Sequence, residues 1–173
     1  MQANGTDVGR GPGSDPSAAK VLLLGLGNDI LTDDAIGLEV VRQVRRELGD
    51  GPAVDIRETT EMGLALLDFI TGYTAVLIVD SIQTGGAAPG TLHEFEPSAL
   101  GQAEGRTPHF VGVGETLALG RQLGLSMPKT VKIFAIEVED PLTLGTEMTA
   151  ALRAAMPAIV QRITRALESS ELR

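Results

Sequence analysis

Two short, uninterrupted apolar runs constrain the fold of this chain more than anything else in it. Val21 to Leu26 (VLLLGL) and Ala75 to Val79 (AVLIV) have the length of strands and carry no polar residue on either alternating face. A strand of that kind is buried on both sides, and sheets made from such strands are largely parallel and covered by helices on both faces. Each run ends where a loop can begin, the first at GNDILTDD and the second at Asp80.

The remaining segments fit that frame. From Asp34 to Leu48 the apolar residues Ile36, Val40, Val41, Val44 and Leu48 recur at helical spacing, while Arg42, Arg45, Arg46 and Glu47 face outward. Thr32, Asp33 or Asp34 can cap the first amides of this helix, and Gly49 suits the left-handed position at its end. Ala53 to Arg57 alternates as a strand does, and Met62 to Ile70 reads as a short helix packing through Met62, Leu66 and Phe69. After the turn GGAAPG, the segment TLHEFE alternates like a strand with one solvated face. A helix over Gly112 to Gln122 and a strand over Thr130 to Ile136 follow. The last helix runs from Thr146 to Leu167 with Met148, Leu152, Ala155, Ile159, Ile163 and Leu167 inward and a kink expected at Pro157. The expected architecture is a three-layer α/β fold: a mostly parallel twisted sheet with one antiparallel strand, TLHEFE, and helices on both faces.

A length of 173 residues with 43% hydrophobic content supports one core, so residues 21–173 are expected to form a single domain. Residues 1–20, including GRGPGSDPS, have too little apolar surface to offset their ordering entropy and are expected to be a disordered tail rather than a signal peptide. No stretch approaches the ~20 apolar residues of a membrane span. A net charge of −9 leaves no basic stripe for nucleic acid or an anionic membrane. The absence of cysteine excludes disulfides, thiolate metal sites and a cysteine nucleophile, and fits a soluble protein of the reducing cytoplasm.

In sheets of this kind the working groups sit at the carboxyl ends of strands, which selects the loops after Leu26 and Val79. GLGNDILTDD has the first two glycines of a dinucleotide fingerprint, but Ile30 replaces the third and two aspartates would face the pyrophosphate. A cation or a polar substrate suits the loop better, with Gly27 turning the backbone and Asn28 hydrogen-bonding across it. Of Asp33 and Asp34, one can cap the helix while the other points into the cleft. Asp80 either caps the turn after its strand or joins that cleft. His93, within TLHEFE, reads as a surface or packing residue, whereas His109 follows Pro108 in a loop that opens a helix. Two carboxylates and one imidazole would form an open set suited to a divalent ion such as nickel or zinc. G-x-S-x-G, H-E-x-x-H and the phosphate-binding G-x-x-x-x-G-K-[ST] are all absent, and a serine triad would have to pair Ser81 with the distant His109.

These residues resemble the hydrogenase maturation endopeptidases, which remove a C-terminal peptide from the large subunit of nickel-iron hydrogenase once nickel is inserted. The resemblance runs from Val21 to Leu167. It is carried by GLGNDILTDDAIG at Gly25 to Gly37, by IVDSI around Asp80, by the Pro89-Gly90 turn and by PHFVGVGETL around His109. It implies a metal and catalytic site of Asp34, Asp80 and His109, with Gly27, Asn28, Asp33, Thr60 and Gly63 on the substrate side. Two departures stand out. Asp34 occupies a position where some members have glutamate, shortening the reach by one methylene, and ETTE at Glu58 to Glu61 replaces a glycine-rich segment with threonine.

The expected function is therefore cleavage of a nickel-loaded hydrogenase large-subunit precursor, with nickel supplied by the substrate, no organic cofactor, and a monomeric enzyme. The rival expectation is a non-catalytic accessory protein that senses nickel in the large subunit.

Overall fold

The computed structural model describes residues 20–49, 53–97 and 113–169. The expected tail, apart from Lys20, and both His109 and Gly112 lie outside them.

Five strands form one sheet: β1 (Val21–Leu26), β2 (Val54–Thr59), β3 (Ala75–Ile82), β4 (Leu92–Phe95) and β5 (Thr130–Glu137), in the order β2-β1-β3-β5-β4. All neighbouring pairs are parallel except β4 against β5, which pair antiparallel with Leu92 opposite Ile136 and Phe95 opposite Ile133. The two apolar runs lie side by side at the centre, Val21 opposite Ala75 through Gly25 opposite Val79. That placement is why neither has a polar face.

The helices are α1 (Ile36–Leu48), α2 (Leu67–Ile70), preceded by a 3-10 turn at Gly63–Leu66, α3 (Val113–Gln122) and α4 (Ala150–Glu168). One core holds Leu23, Leu77 and Val79 against Val40, Val41 and Val44 of α1 and Leu152, Ile159 and Ile163 of α4. The other holds Leu22, Leu24, Leu26, Val76 and Ile78 against Leu66, Ile70, Val113 and Leu117. The expected three-layer α/β fold with one antiparallel strand is the one observed.

α1 seats directly on the carboxyl ends of the central strands. A Cβ on Gly37 would lie 2.1 Å from the Leu26 carbonyl oxygen and 2.5 Å from that of Val79, so only glycine allows this approach. The start of α1 is thus pressed against the two strand ends that carry the site.

Local expectations differ from the structure in several places: Leu48, expected inward, is exposed at the end of α1, and β2 runs Val54–Thr59 rather than Ala53 to Arg57. α1 begins at Ile36 with Ala35 as N-cap and no cap bond from that side chain, so the N-cap position is none of Thr32, Asp33 and Asp34. β3 continues through Asp80 to Ile82, because β5 pairs with it along its whole length. Met62, expected inward, is exposed, since the 3-10 turn starts after it and turns Leu66 and Ile70 into the core instead. α4 begins at Ala150 rather than Thr146, with Thr149 as N-cap, and runs through Pro157.

Candidate active site

The carboxyl ends of β1 and β3 bring together the two aspartates chosen from the sequence. Asp34 is 4% exposed and Asp80 0%. They meet through one residue, Ser81. Its hydroxyl donates to Asp34 Oδ1 at 2.7 Å, and its backbone N–H donates to Asp80 Oδ1 at 2.8 Å. Side chains alternate along β3. Val79 packs toward α1 and Ile78 and Ile82 toward α2 and α3, so Ser81 falls on the α1 face and Asp80 on the other. Asp34 comes to the same point from the loop before α1. The pair therefore straddles the sheet edge.

Gly27 makes this geometry possible. Its φ is +152°, and a Cβ there would lie 2.2 Å from the Asp34 carbonyl oxygen, so the loop closes onto Asp34 only with glycine at that position. Asn28 shapes the next turn, its Oδ1 accepting the Ile30 N–H at 3.2 Å. Thr60 is exposed and Gly63 half-buried with φ +61°; both lie on the segment leaving β2, whose last residue Thr59 pairs with Leu26.

Asp33 corrects an expectation. Placed on the substrate side by the sequence, it is 0% exposed and bonded into the fold. Its Oδ1 accepts the Thr149 N–H at 2.8 Å. Its Oδ2 accepts the N–H groups of Glu139 and Asp140 at 3.2 and 3.0 Å and the Thr149 hydroxyl at 3.1 Å. The carboxylate is a staple that binds the β1 loop to the start of α4, and four donors leave it no capacity for substrate.

Charge around the loop is organised by Arg42, which donates to both oxygens of Asp29 at 2.8 Å, to Glu39 at 2.7 Å and to Glu58 at 2.6 Å. The hydrogen bonds from Arg42 hold Asp29 below its ordinary range, and the three carboxylates raise Arg42 further above its own. Arg45 also reaches Glu58 at 3.3 Å. Glu58, part of the unusual ETTE segment, thereby ties the carboxyl end of β2 to α1.

Sequence reasoning missed a fourth buried carboxylate on the same edge. Glu137, 1% exposed, ends β5 and accepts the N–H groups of Thr84 and Gly85 at 2.8 and 2.9 Å and the Thr84 hydroxyl at 2.8 Å. His93 Nε2 lies 3.1 Å from its other oxygen, and the His93 ring stacks on Phe95. Burial alone would raise the Glu137 pKa, but the hydrogen bonds from Thr84, Gly85 and His93 outweigh it and the net shift is downward. The signal that could have found it was a glutamate closing the apolar stretch IFAI of its strand, TVKIFAIE.

Asp34 and Asp80 offer two carboxylates to a cation; among the described residues no group of three metal-ligating side chains gathers. His109, the expected third member, lies outside those residues. Chemically, two acids held together at a strand edge can accept and return a proton, bind a divalent ion, or do both.

Comparison with known proteins identifies the family. The model of the HycI family, hydrogenase maturation protease, matches residues 38–166. The hydrogenase expression/formation protein HupD of Rhizobium leguminosarum bv. viciae is 27% identical over 163 residues, covering 91% of this chain and 79% of the relative. Hydrogenase 2 maturation protease of Escherichia coli K12 is 27% identical over 154 residues, covering 87% and 92%. The solved structure of the hydrogenase maturating endopeptidase HybD from E. coli superposes with a TM-score of 0.72 at 26% identity, covering 86% of this chain and 92% of that one. With the α/β sheet and the acid pair at its carboxyl edge in place, the chain belongs to the hydrogenase maturation protease family.

Proposed function

We propose that this protease removes the C-terminal peptide from the large-subunit precursor of a nickel-iron hydrogenase after nickel has been inserted, and that nickel enters the site with the precursor. The observation that carries this reading is the meeting of Asp34 and Asp80 on Ser81 at the carboxyl ends of β1 and β3. Asp34, Asp80 and His109 complete the coordination of the precursor's ion and so place the scissile peptide. Hydrolysis needs a water to attack the carbonyl carbon and a proton to reach the departing amine. Held by these residues, nickel would supply Lewis acidity toward the carbonyl or the attacking water, while a carboxylate of the pair would take the proton from water and pass it to the amine. An unmetallated precursor lacks the anchoring group, which accounts for selectivity.

The surface at this edge supports a protein substrate. Ile30, Met62, Leu64, Leu142 and Leu144 are large exposed apolar side chains on the segments that follow β1, β2 and β5. The segments around Ile30 and Leu144 are held rigid by the Leu31–Leu144 bridge and by the Gly145 N–H bond to the Ile30 carbonyl. Exposed apolar side chains on a fixed surface favour a macromolecular partner. We further propose that the enzyme acts in the cytoplasm as a monomer, a reading that fits the lack of cysteine and the absence, among the described residues, of a helix long and apolar enough to cross a membrane.

Co-expression with a candidate large subunit, with and without nickel, tests the proposal through the C-terminal mass of the precursor. Shortening only when nickel is supplied is the expected result. Binding without shortening would establish the nickel-sensing accessory role instead.

A further inference from the structure

Ser81 is a polar residue in a strand that is otherwise apolar up to Asp80, and it is only 2% exposed. A buried hydroxyl costs stability unless it is hydrogen-bonded, so its presence calls for a partner, and the partner is Asp34. The same residue holds Asp80 through its backbone N–H. The two bonds differ in kind. The bond to Asp80 comes from the main chain and survives any substitution except proline, whereas the bond to Asp34 depends on the hydroxyl alone.

We propose that Ser81 is a positioning residue for the cleavage reaction, one that fixes the Asp34 carboxylate relative to Asp80. This rests on the function proposed above. Asp34 stands on a loop, and its short side chain has two torsions through which it could swing. The 2.7 Å bond from Ser81 ties Oδ1 to β3, the strand that carries Asp80. β3 is an interior strand, and Ser81 itself is paired with Ile136 of β5, so the anchor belongs to the sheet rather than to a loop. Orientation of one acid is thereby set by the strand that supplies the other. Groups that orient a ligand or catalytic carboxylate in this way typically affect activity by about 10–100-fold.

The experiment compares full-length wild type, Ser81→Ala and Ser81→Thr on nickel-loaded precursor, with kcat, KM and thermal midpoint measured for each. Ser81→Ala is expected to lower kcat by about 10–100-fold with KM and thermal midpoint little changed, because the precursor still binds but the bond that orients Asp34 Oδ1 toward β3 is gone. Ser81→Thr keeps the hydroxyl and is expected to retain most of kcat. Wild-type kcat in Ser81→Ala overturns the inference, as does a loss of kcat that follows a large fall in thermal midpoint, or an equal loss in a folded Ser81→Thr. If wild type itself leaves the precursor uncut, the proposed function fails first and the inference with it.

Discussion

The carboxyl edge of the sheet carries two kinds of buried acid. Asp33 and Glu137 are each surrounded by donors drawn from loops: Thr149, Glu139 and Asp140 for the first, Thr84 and Gly85 for the second. Their charge is spent on holding chain segments in place. Asp34 and Asp80 are instead linked to each other through a residue they share, Ser81, whose hydroxyl bonds one and whose backbone N–H bonds the other. Two carboxylates tied to one residue at a strand edge form an acidic site that can meet a cation or a polar substrate group. Depth of burial does not separate the two kinds, since all four acids are buried. What separates them is whether the neighbouring groups fix a loop or fix another acid.

This contrast can be broken by substitution. The largest effect is expected at the shared pair: Asp34→Asn or Asp80→Asn should lower precursor cleavage by about 100-fold to 10,000-fold while the protein stays folded, read by mass spectrometry of the precursor and circular dichroism of the variant. Undiminished cleavage by both variants would remove the pair from the chemistry.

Asp33→Asn should do the reverse. An amide supplies one acceptor where the carboxylate serves four donors, so stability should fall by about 3 kcal/mol, seen as a lower denaturant midpoint. Activity per folded molecule should change far less than for Asp34→Asn. A stable, inactive Asp33→Asn would return Asp33 to the substrate side of the loop.

Glu137→Gln should cost about 2 kcal/mol for the same reason, and its effect should depend on pH. The folded-state pKa of Glu137 lies below its ordinary value of 4.5, so its contribution is complete above that pH and is lost as pH falls through the folded value. The stability gap between wild type and Glu137→Gln should therefore be full at neutral pH and narrow below pH 4.5, measured by denaturation across that range. The smallest effect belongs to Thr149→Val, which removes one hydroxyl bond to Asp33 and leaves the backbone one. About 1 kcal/mol is expected, with cleavage kinetics unaltered.

Much of the fold was legible because burial writes itself into periodicity. VLLLGL and AVLIV are continuous because β1 and β3 have neighbours on both edges and helices on both faces, and TLHEFE alternates because β4 is the edge strand. Met62 was misread since a 3-10 turn and an α-turn share the segment, and their combined period is not that of either alone. The rule that parallel sheets work at their carboxyl ends selected the two loops, and the family resemblance named Asp34 and Asp80 within them. Ser81 was weighed only as a nucleophile, although a buried serine in an apolar strand points equally well to a hydrogen-bond partner.

By itself the sequence determined the strands, the helices, the parallel sheet and the two loops where chemistry could sit, since each depends on residues near one another in the chain. The residue pattern alone left Asp33 and Asp34 open and the family resemblance pointed to Asp34; only the tertiary structure shows which groups hold each. Locally the two are equivalent, adjacent acids before a helix. Asp33 is claimed by Thr149, 116 residues onward, and Asp34 by Ser81, 47 residues onward. Partners that distant leave no periodic trace, because a hydrogen bond across the fold depends on where two loops arrive and not on the spacing of residues within either.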